Sequence, residues 1–226
     1  MLHLPFEDRV EAGRALADEL VRRKVNASAV VFGLTRGGVP VAFAIADRLR
    51  LPMDIVVVRK IGVPWQPELA MGALAGTVRL LDDAMMRQLN IAEEDVESTI
   101  ANEMAEMKRR ENLYRQGRVQ PDLAGKIAVL VDDGLATGST MIAAVRYART
   151  FNPAKTVVAA PVGSRQACHR LAREADEVIC LAAPEPFFAV GEWYRDFDQV
   201  SDAEVMHLLE ENTRRLEAYR KSSEAA

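Results

Sequence analysis

Short apolar runs alternate with longer amphipathic stretches along most of the chain. The runs are rich in Val, Ile and Ala, as expected for strands that are buried on both faces. They lie at residues 29–34, 54–59, 127–131, 156–160 and 177–181. Helical spacing of apolar residues predicts helices at 6–23, 40–49, 139–150 and 166–174. The alternation predicts an α/β fold with a doubly wound, mostly parallel five-stranded sheet and helices on both faces.

Two segments lie outside this alternation. Residues 82–120 contain a long predicted helix whose apolar stripe is typical of core packing, although its methionines leave a contact with a second copy open. Residues 183–226 combine an aromatic segment with a final helix. We interpret them as a helical elaboration and a C-terminal hood-like segment of one domain spanning 1–226. The stripe consists of Val96, Ile100, Met104, Met107 and Tyr114.

Composition excludes several functions. A net charge of -4 and a pI near 5.5 argue against a broad basic surface for nucleic acid. No apolar run reaches the roughly 18 residues of a transmembrane helix, and acidic residues near the amino terminus do not match a secretory signal. We therefore expect a cytoplasmic protein that binds neither membrane nor nucleic acid. Cys168 and Cys180 lack metal-binding spacing, so we expect buried, reduced thiols.

The most informative chemistry follows the predicted strand 127–131. Asp132 and Asp133 come directly after it, and a loop rich in Gly, Thr and Ser then opens onto a predicted helix. Amide groups at a helix N-terminus bind anions, and glycine allows the backbone to approach them closely. Carboxylates accept hydrogen bonds from sugar hydroxyls and suit a hard cation such as Mg²⁺. The arrangement predicts a site for a ribose 5-phosphate group.

The segment VLVDDGLATGST, residues 129–140, resembles the 5-phosphoribosyl 1-pyrophosphate (PRPP) motif of type I phosphoribosyltransferases. The resemblance implies that Asp132 and Asp133 hold the ribose hydroxyls and contribute to catalysis, with Mg²⁺ as cofactor and these two acids as its ligands. It also implies a loop that binds the 5-phosphate. That loop consists of Leu135, Ala136, Thr137, Gly138, Ser139 and Thr140.

Two further loops resemble parts of the same family. After the first predicted strand, a compact polar turn before a helix resembles the pyrophosphate loop, and its arginine offers a forked cationic donor. Arg59 and Lys60, at the end of the second predicted strand, resemble the start of the flexible catalytic loop, where either charge would stabilise departing pyrophosphate. The alternatives are a plain strand-to-helix turn for the first loop and solvated loop charges for Arg59 and Lys60. The polar turn consists of Thr35, Arg36, Gly37 and Gly38.

The sequence does not identify the acceptor base. Ala136 stands where the 6-oxopurine branch of the family has an aspartate facing the base, which disfavours hypoxanthine and guanine. Adenine-like, orotate-like or unusual acceptors stay open. The aromatic segment 185–200 can stack on a flat base, or it can form a satellite core beneath a loop.

The resemblance implies an Mg²⁺-dependent pentosyltransferase of nucleotide salvage. It would transfer the phosphoribosyl group of PRPP to a base and release pyrophosphate, with Arg36, Arg59, Lys60, Asp132 and Asp133 as catalytic candidates. A homodimer is the expected assembly. One alternative is a regulatory protein that senses PRPP without transferring it. Another is a phosphate-binding α/β enzyme of unrelated chemistry.

Overall fold

The computed structural model describes residues 3–25 and 28–224. Its strands are β1 (Ala29–Leu34), β2 (Met53–Val56), β3 (Val58–Val63), β4 (Gln66–Ala75), β5 (Val78–Leu81), β6 (Ile127–Val131), β7 (Lys155–Val162) and β8 (Glu177–Ala182). Its helices are α1 (Arg9–Arg22), α2 (Gly38–Leu49), α3 (Asp83–Gln88), α4 (Glu93–Arg115), α5 (Ser139–Arg149), α6 (Arg165–Leu171) and α7 (Asp202–Glu224), with a 3-10 helix at Val190–Trp193.

The main sheet has five parallel strands in the order β2-β1-β6-β7-β8. Alternate residues of these strands enter two separate apolar cores. Val31, Val129 and Val157 share one core with α1, α2, α4 and α7, whereas Leu130 and Val158 share the other with α5 and α6. The predicted α/β fold with helices on both faces is confirmed. Parallel strands place their carboxyl ends at one edge, where ligands of such sheets bind.

A second sheet has three antiparallel strands in the order β3-β4-β5. The predicted strand 54–59 is therefore wrong at its C-terminal end, because β2 stops at Val56 and Val58 pairs with Ala75 of β4. A continuous apolar run cannot reveal that its hydrogen-bond partners change after Val57. Arg59 and Lys60 consequently lie on a hairpin strand, where the sequence predicted the start of a loop.

The first helix begins at Arg9, three residues later than predicted. Asp8 caps it, since its carboxylate accepts a hydrogen bond from the Glu11 amide at 2.7 Å. Phe6 instead packs against the hood, where it pairs with Tyr194. The hood aromatics largely form a satellite core, while Phe188 is 78% exposed.

The apolar stripe of α4 packs into the first core, as predicted from its spacing. Val96, Ile100, Met107 and Tyr114 are buried, and Met104 is partly buried against them. The last helix, α7, is tied to the edge strand by Asn212, whose side chain accepts from the Met53 amide at 3.0 Å and donates to the Leu51 carbonyl at 3.2 Å. Within the described ranges, none of the helices has the length and apolar character that crossing a bilayer requires.

Candidate functional site

The loop between β6 and α5 lies at the carboxyl edge of the main sheet. Gly138 precedes α5 with a φ of 79°, a left-handed conformation that favours glycine. The first amides of α5 have no carbonyl of a preceding turn to bind, so they can donate hydrogen bonds to an anion. Ser139 and Thr140 begin the helix and add hydroxyl groups. The structure thus joins the predicted phosphate loop to a helix N-terminus.

A cavity of about 580 Å³ faces this loop from residue 134 to 140, with the β4–β5 hairpin and α3 on its other side. A second cavity of about 560 Å³ adjoins it and reaches Thr35 and the β3–β4 turn. Lys60, Asp132 and Thr140 line both cavities, which therefore form one continuous cleft. The cleft brings together groups from the three loops that the sequence singled out.

Asp132 faces this cleft from the end of β6. Its Oδ1 accepts a hydrogen bond from the Asp133 amide at 3.0 Å. Enclosure by protein, followed by the charge of Asp133, raises the pKa of Asp132 well above its usual range. Arg9 and Lys60 oppose this shift only in part. The negative charge of this enclosed carboxylate is only partly compensated by neighbouring cations, so the carboxylate is suited to bind a cation or hydroxyl donors.

Asp133 points to a different recess. Its Oδ2 lies 2.9 Å from Arg9 Nε, and both side chains are largely buried, at 14% and 12% exposure. Burial raises the pKa of Asp133, while the Arg9 guanidinium lowers it. Asp133 lines a recess of about 360 Å³ with Arg9, Arg36, Gly37 and Phe197. The two predicted ribose ligands are thus divided between the cleft and this recess.

The predicted pyrophosphate loop packs closely on the acidic pair. A Cβ on Gly37 would overlap the Asp133 carboxylate, and one on Gly38 would overlap the Val131 carbonyl, so glycine is required by space at both positions. The Thr35–Arg36 peptide bond is cis. Among the described residues, the buried Thr35 hydroxyl has no hydrogen-bond partner, and Thr35 lines the cleft. It therefore offers a donor to a bound oxygen ligand.

The Arg36 guanidinium turns away from the cleft. Its Nη1 lies 3.4 Å from Oδ1 of Asp202, at the start of α7, and the same oxygen accepts from Tyr114 Oη at 2.6 Å. These contacts lower the pKa of Asp202, with the Tyr114 hydrogen bond as the main cause. Burial and the Asp202 carboxylate raise the pKa of Tyr114 to about 12. The structure does not bring Arg36 together with Lys60 and Asp132.

The basic pair on β3 is also divided. Arg59 Nε lies 2.6 Å from Glu103 Oε2 of α4, so its charge is compensated within the chain. Lys60 is exposed, lines the whole cleft and forms no ion pair with any residue that the structure describes. Lys60 is therefore the cation of this pair that is free for a ligand.

Sequence reasoning missed several residues that support the site. Arg9 holds Asp133, and Tyr194 Oη donates to the Asp133 carbonyl at 2.6 Å. Ser164 and Arg170 contact the phosphate loop from the α6 side. All four lie far from the motif in sequence, and an isolated Arg, Ser or Tyr gives no local signal.

A magnesium ion fits this site only if oxygen atoms of the substrate complete its coordination. Within the part of the chain that the structure describes, no group of three or more His, Cys, Asp or Glu side chains could hold a metal. Asp132 supplies one hard oxygen donor on the cleft, and Mg²⁺ commonly takes one or two carboxylates together with phosphate oxygens and water. Asp132 is thus compatible with a cation that arrives with its phosphate ligand.

Comparison with known proteins gives consistent matches. A family model described as phosphoribosyl transferase domain covers residues 6–195. Two relatives from Mycobacterium tuberculosis, strains CDC 1551 and H37Rv, are provisionally named phosphoribosyl transferases. Each is 47% identical over 206 residues, which is 91% of this chain and 46% of the relative. The chain thus spans about half the length of these relatives.

A solved structure is also similar. The protein in the crystal structure of TT1426 from Thermus thermophilus is 40% identical in sequence, with a TM-score of 0.76 over 91% of this chain and 98% of that one.

Proposed function

Because the chain belongs to the phosphoribosyl transferase domain family, we propose that it transfers the 5-phosphoribosyl group of PRPP to a nitrogenous acceptor and releases pyrophosphate. One observation carries the proposal: the helix N-terminal loop, Asp132 and Lys60 line a single cleft. These are the groups needed to bind a sugar phosphate and to stabilise an anionic leaving group.

Each part of the cleft has a task in this reaction. The amides of residues 136–140 bind the 5-phosphate, and Asp132 accepts a hydrogen bond from a ribose hydroxyl. The Thr35 hydroxyl and the Lys60 ammonium face the pyrophosphate as negative charge develops on it. The cleft positions the acceptor nitrogen at the anomeric carbon. This positioning removes much of the entropy cost of bringing two reactants together.

Asp132 would also hold Mg²⁺ together with substrate oxygens. When bound, the ion neutralises charge on the pyrophosphate. The assignment of Asp133 to the ribose requires its carboxylate to leave the Arg9 ion pair or to act through it. Ala136 is exposed at the loop and brings no carboxylate to the acceptor. We therefore propose an acceptor other than a 6-oxopurine.

Product detection tests the proposal directly. The protein is incubated with PRPP, Mg²⁺ and a mixture of purines, pyrimidines and pyridine carboxylates, and new nucleotides and pyrophosphate are measured by mass and by an enzymatic assay. We expect a nucleotide that Lys60→Met forms at least tenfold more slowly, because a charge-stabilising donor is lost. Lys108→Met, which removes the same charge from an exposed position of α4, is the control.

Other outcomes would identify the alternatives. PRPP that binds without nucleotide formation from any acceptor indicates the PRPP-sensing regulatory protein. If PRPP with Mg²⁺ neither binds nor raises the melting temperature, the chain is a phosphate-binding protein of different chemistry, and the proposed transfer is wrong.

A further inference from the structure

Three consecutive carbonyl groups of the phosphate loop are held by Ser164, the N-cap residue of α6, and by Arg170 within α6. The Leu135 carbonyl accepts from the Ser164 amide at 2.8 Å. The Ala136 carbonyl accepts from Ser164 Oγ at 2.7 Å, and the Thr137 carbonyl accepts from Arg170 Nη1 at 3.0 Å. All three carbonyls are therefore drawn to the same side of the loop.

This anchoring fixes the direction of the neighbouring amides. In a trans peptide the C=O and the following N–H point in opposite directions, and these three peptide bonds are not among the cis bonds of the described chain. The amides of Ala136, Thr137 and Gly138 accordingly point away from Ser164 and Arg170. The same three residues also line the cleft. The amides thus form a concave group of donors that suits an anion.

Ser164 and Arg170 are placed to maintain this arrangement. Ser164 Oγ also accepts from the Ala167 amide at 3.0 Å, so the residue that caps α6 holds the loop as well. Arg170 lines the cleft while it binds the Thr137 carbonyl, and its charge adds to the attraction for an anion. Ala167 and Leu171 lie beneath Gly138, at 3.4 Å from the position of a Cβ there, and keep α6 in contact with the loop.

We propose that Ser164 and Arg170 are positioning residues that hold the phosphate loop in its anion-binding orientation. The inference rests on the proposed function for its physiological ligand. The inference assigns a role in phosphate binding to two residues that lie outside the loop motif. A peptide that turned a carbonyl into the cleft would replace a donor with a repelling oxygen, and these two side chains prevent this.

Calorimetric titration with ribose 5-phosphate tests the inference. We expect Arg170→Met to weaken binding about tenfold or more, as for the loss of a hydrogen bond to a charged group. Arg170→Lys should recover part of the affinity, because it keeps the charge and loses the forked donor. Arg173→Met removes an equal charge from the exposed turn after α6 and should bind as the parent does. Ser164→Ala should weaken binding several-fold, and Ser164→Thr should restore it by keeping the hydroxyl.

The pH profile separates positioning from a general loss of structure. A phosphate monoester gains its second charge near pH 6, so parent affinity should rise between about pH 5.5 and 7.5. In Arg170→Met this rise should be flatter, since a cation that lines the cleft is gone. If Ser164→Ala fails to fold, the Arg170 series alone decides the result.

The outcomes distinguish this inference from the proposed function. If Arg170→Met binds ribose 5-phosphate as Arg173→Met does, with the same pH profile, the inference is wrong whatever the reaction is. If the variants weaken binding as expected but the parent forms no nucleotide, the inference stands and the transfer reaction fails. A parent that binds neither ribose 5-phosphate nor PRPP overturns both.

Discussion

The guanidinium of Arg9, at the start of α1, binds the carboxylate of Asp133 at 2.9 Å across 124 residues of sequence. The guanidinium also lies over the ring of Phe197 at 3.9 Å, and its Nη1 donates to the Asp198 carbonyl at 2.8 Å. Arg9 therefore joins the first helix, the acidic motif and the hood. The Arg9 guanidinium thus holds the Asp133 side chain, which the motif alone would assign to the sugar.

We expect Arg9→Met to lower the free energy of unfolding by about 3 kcal/mol, because it leaves a largely buried carboxylate without its partner. Chemical denaturation measures the change. Arg22→Met, at an exposed position on the same helix, should have little effect. Adding Asp133→Asn to Arg9→Met should recover part of the loss. An unchanged stability of Arg9→Met would show that the pair contributes nothing.

Asp132→Asn should stabilise the fold at neutral pH while it weakens PRPP binding. Burial raises the pKa of Asp132, so the contribution of this carboxyl to stability is greatest when it is protonated. That contribution declines as the pH rises above the ordinary value of 3.8, so the acid costs stability at neutral pH. The asparagine has no proton to lose and removes that cost.

Denaturation with a chelator present measures this gain, and it should shrink as the pH approaches 4, where the parent carboxyl is protonated. A gain that is equal at both pH values would contradict the cause given. Calorimetry with PRPP and Mg²⁺ measures the accompanying loss of affinity, and unchanged affinity would mean that the sugar and the ion bind elsewhere.

Arg36→Ala tests whether the pyrophosphate loop uses its charged side chain. If Arg36 moves from Asp202 to the leaving group during the reaction, its loss should slow turnover on the order of a hundredfold, or about 3 kcal/mol of transition-state stabilisation. The fold should be little affected, because Asp202 keeps its hydrogen bond from Tyr114. Arg48→Ala on the exposed side of α2 is the control. Equal turnover would leave Arg36 as a structural contact between the loop and α7.

Cys168 should be the more reactive of the two thiols at neutral pH. The sulfur atoms of Cys168 and Cys180 both lie just over 3 Å from the position of a Cβ on Gly163, so they are neighbours. The adjacent Cys180 thiol is the main cause that lowers the pKa of Cys168 to about 7, whereas the pKa of Cys180 is raised. Iodoacetamide should therefore alkylate Cys168 with a midpoint near pH 7.

Cys180→Ala removes that thiol, so the alkylation midpoint of Cys168 should move up toward the ordinary value of 9.0. Peptide mass analysis gives the rate at each site. A midpoint that is the same in parent and variant would show that another group stabilises the thiolate.

The part of the site that the sequence predicted is local in the chain. The strand β6, the two acids and the helix N-terminus follow one another within fifteen residues, and their chemistry requires no distant partner. The supporting contacts are long-range: Arg36 meets Asp202 over 166 residues, and Arg170 meets Thr137 over 33. Periodicity identifies which face of an element is buried, but it does not identify which polar side chain lies across a loop. The change of sheet at Val57 escaped prediction for a similar reason, since both sheets bury valine.

The change of sheet after Val57 also separates two parts of the site that can diverge independently. The phosphate loop and Asp132 follow a strand of the parallel sheet. The strands of this sheet are covered on both faces, so they tolerate few substitutions. Lys60 and the strands on the opposite wall of the cleft belong to the three-stranded antiparallel sheet, which has its own turns. A change in the length or composition of that second sheet leaves the pairing of β1, β2 and β6 unaltered. Under the proposed function, the acceptor could therefore change while the phosphate loop and Asp132 stay as they are.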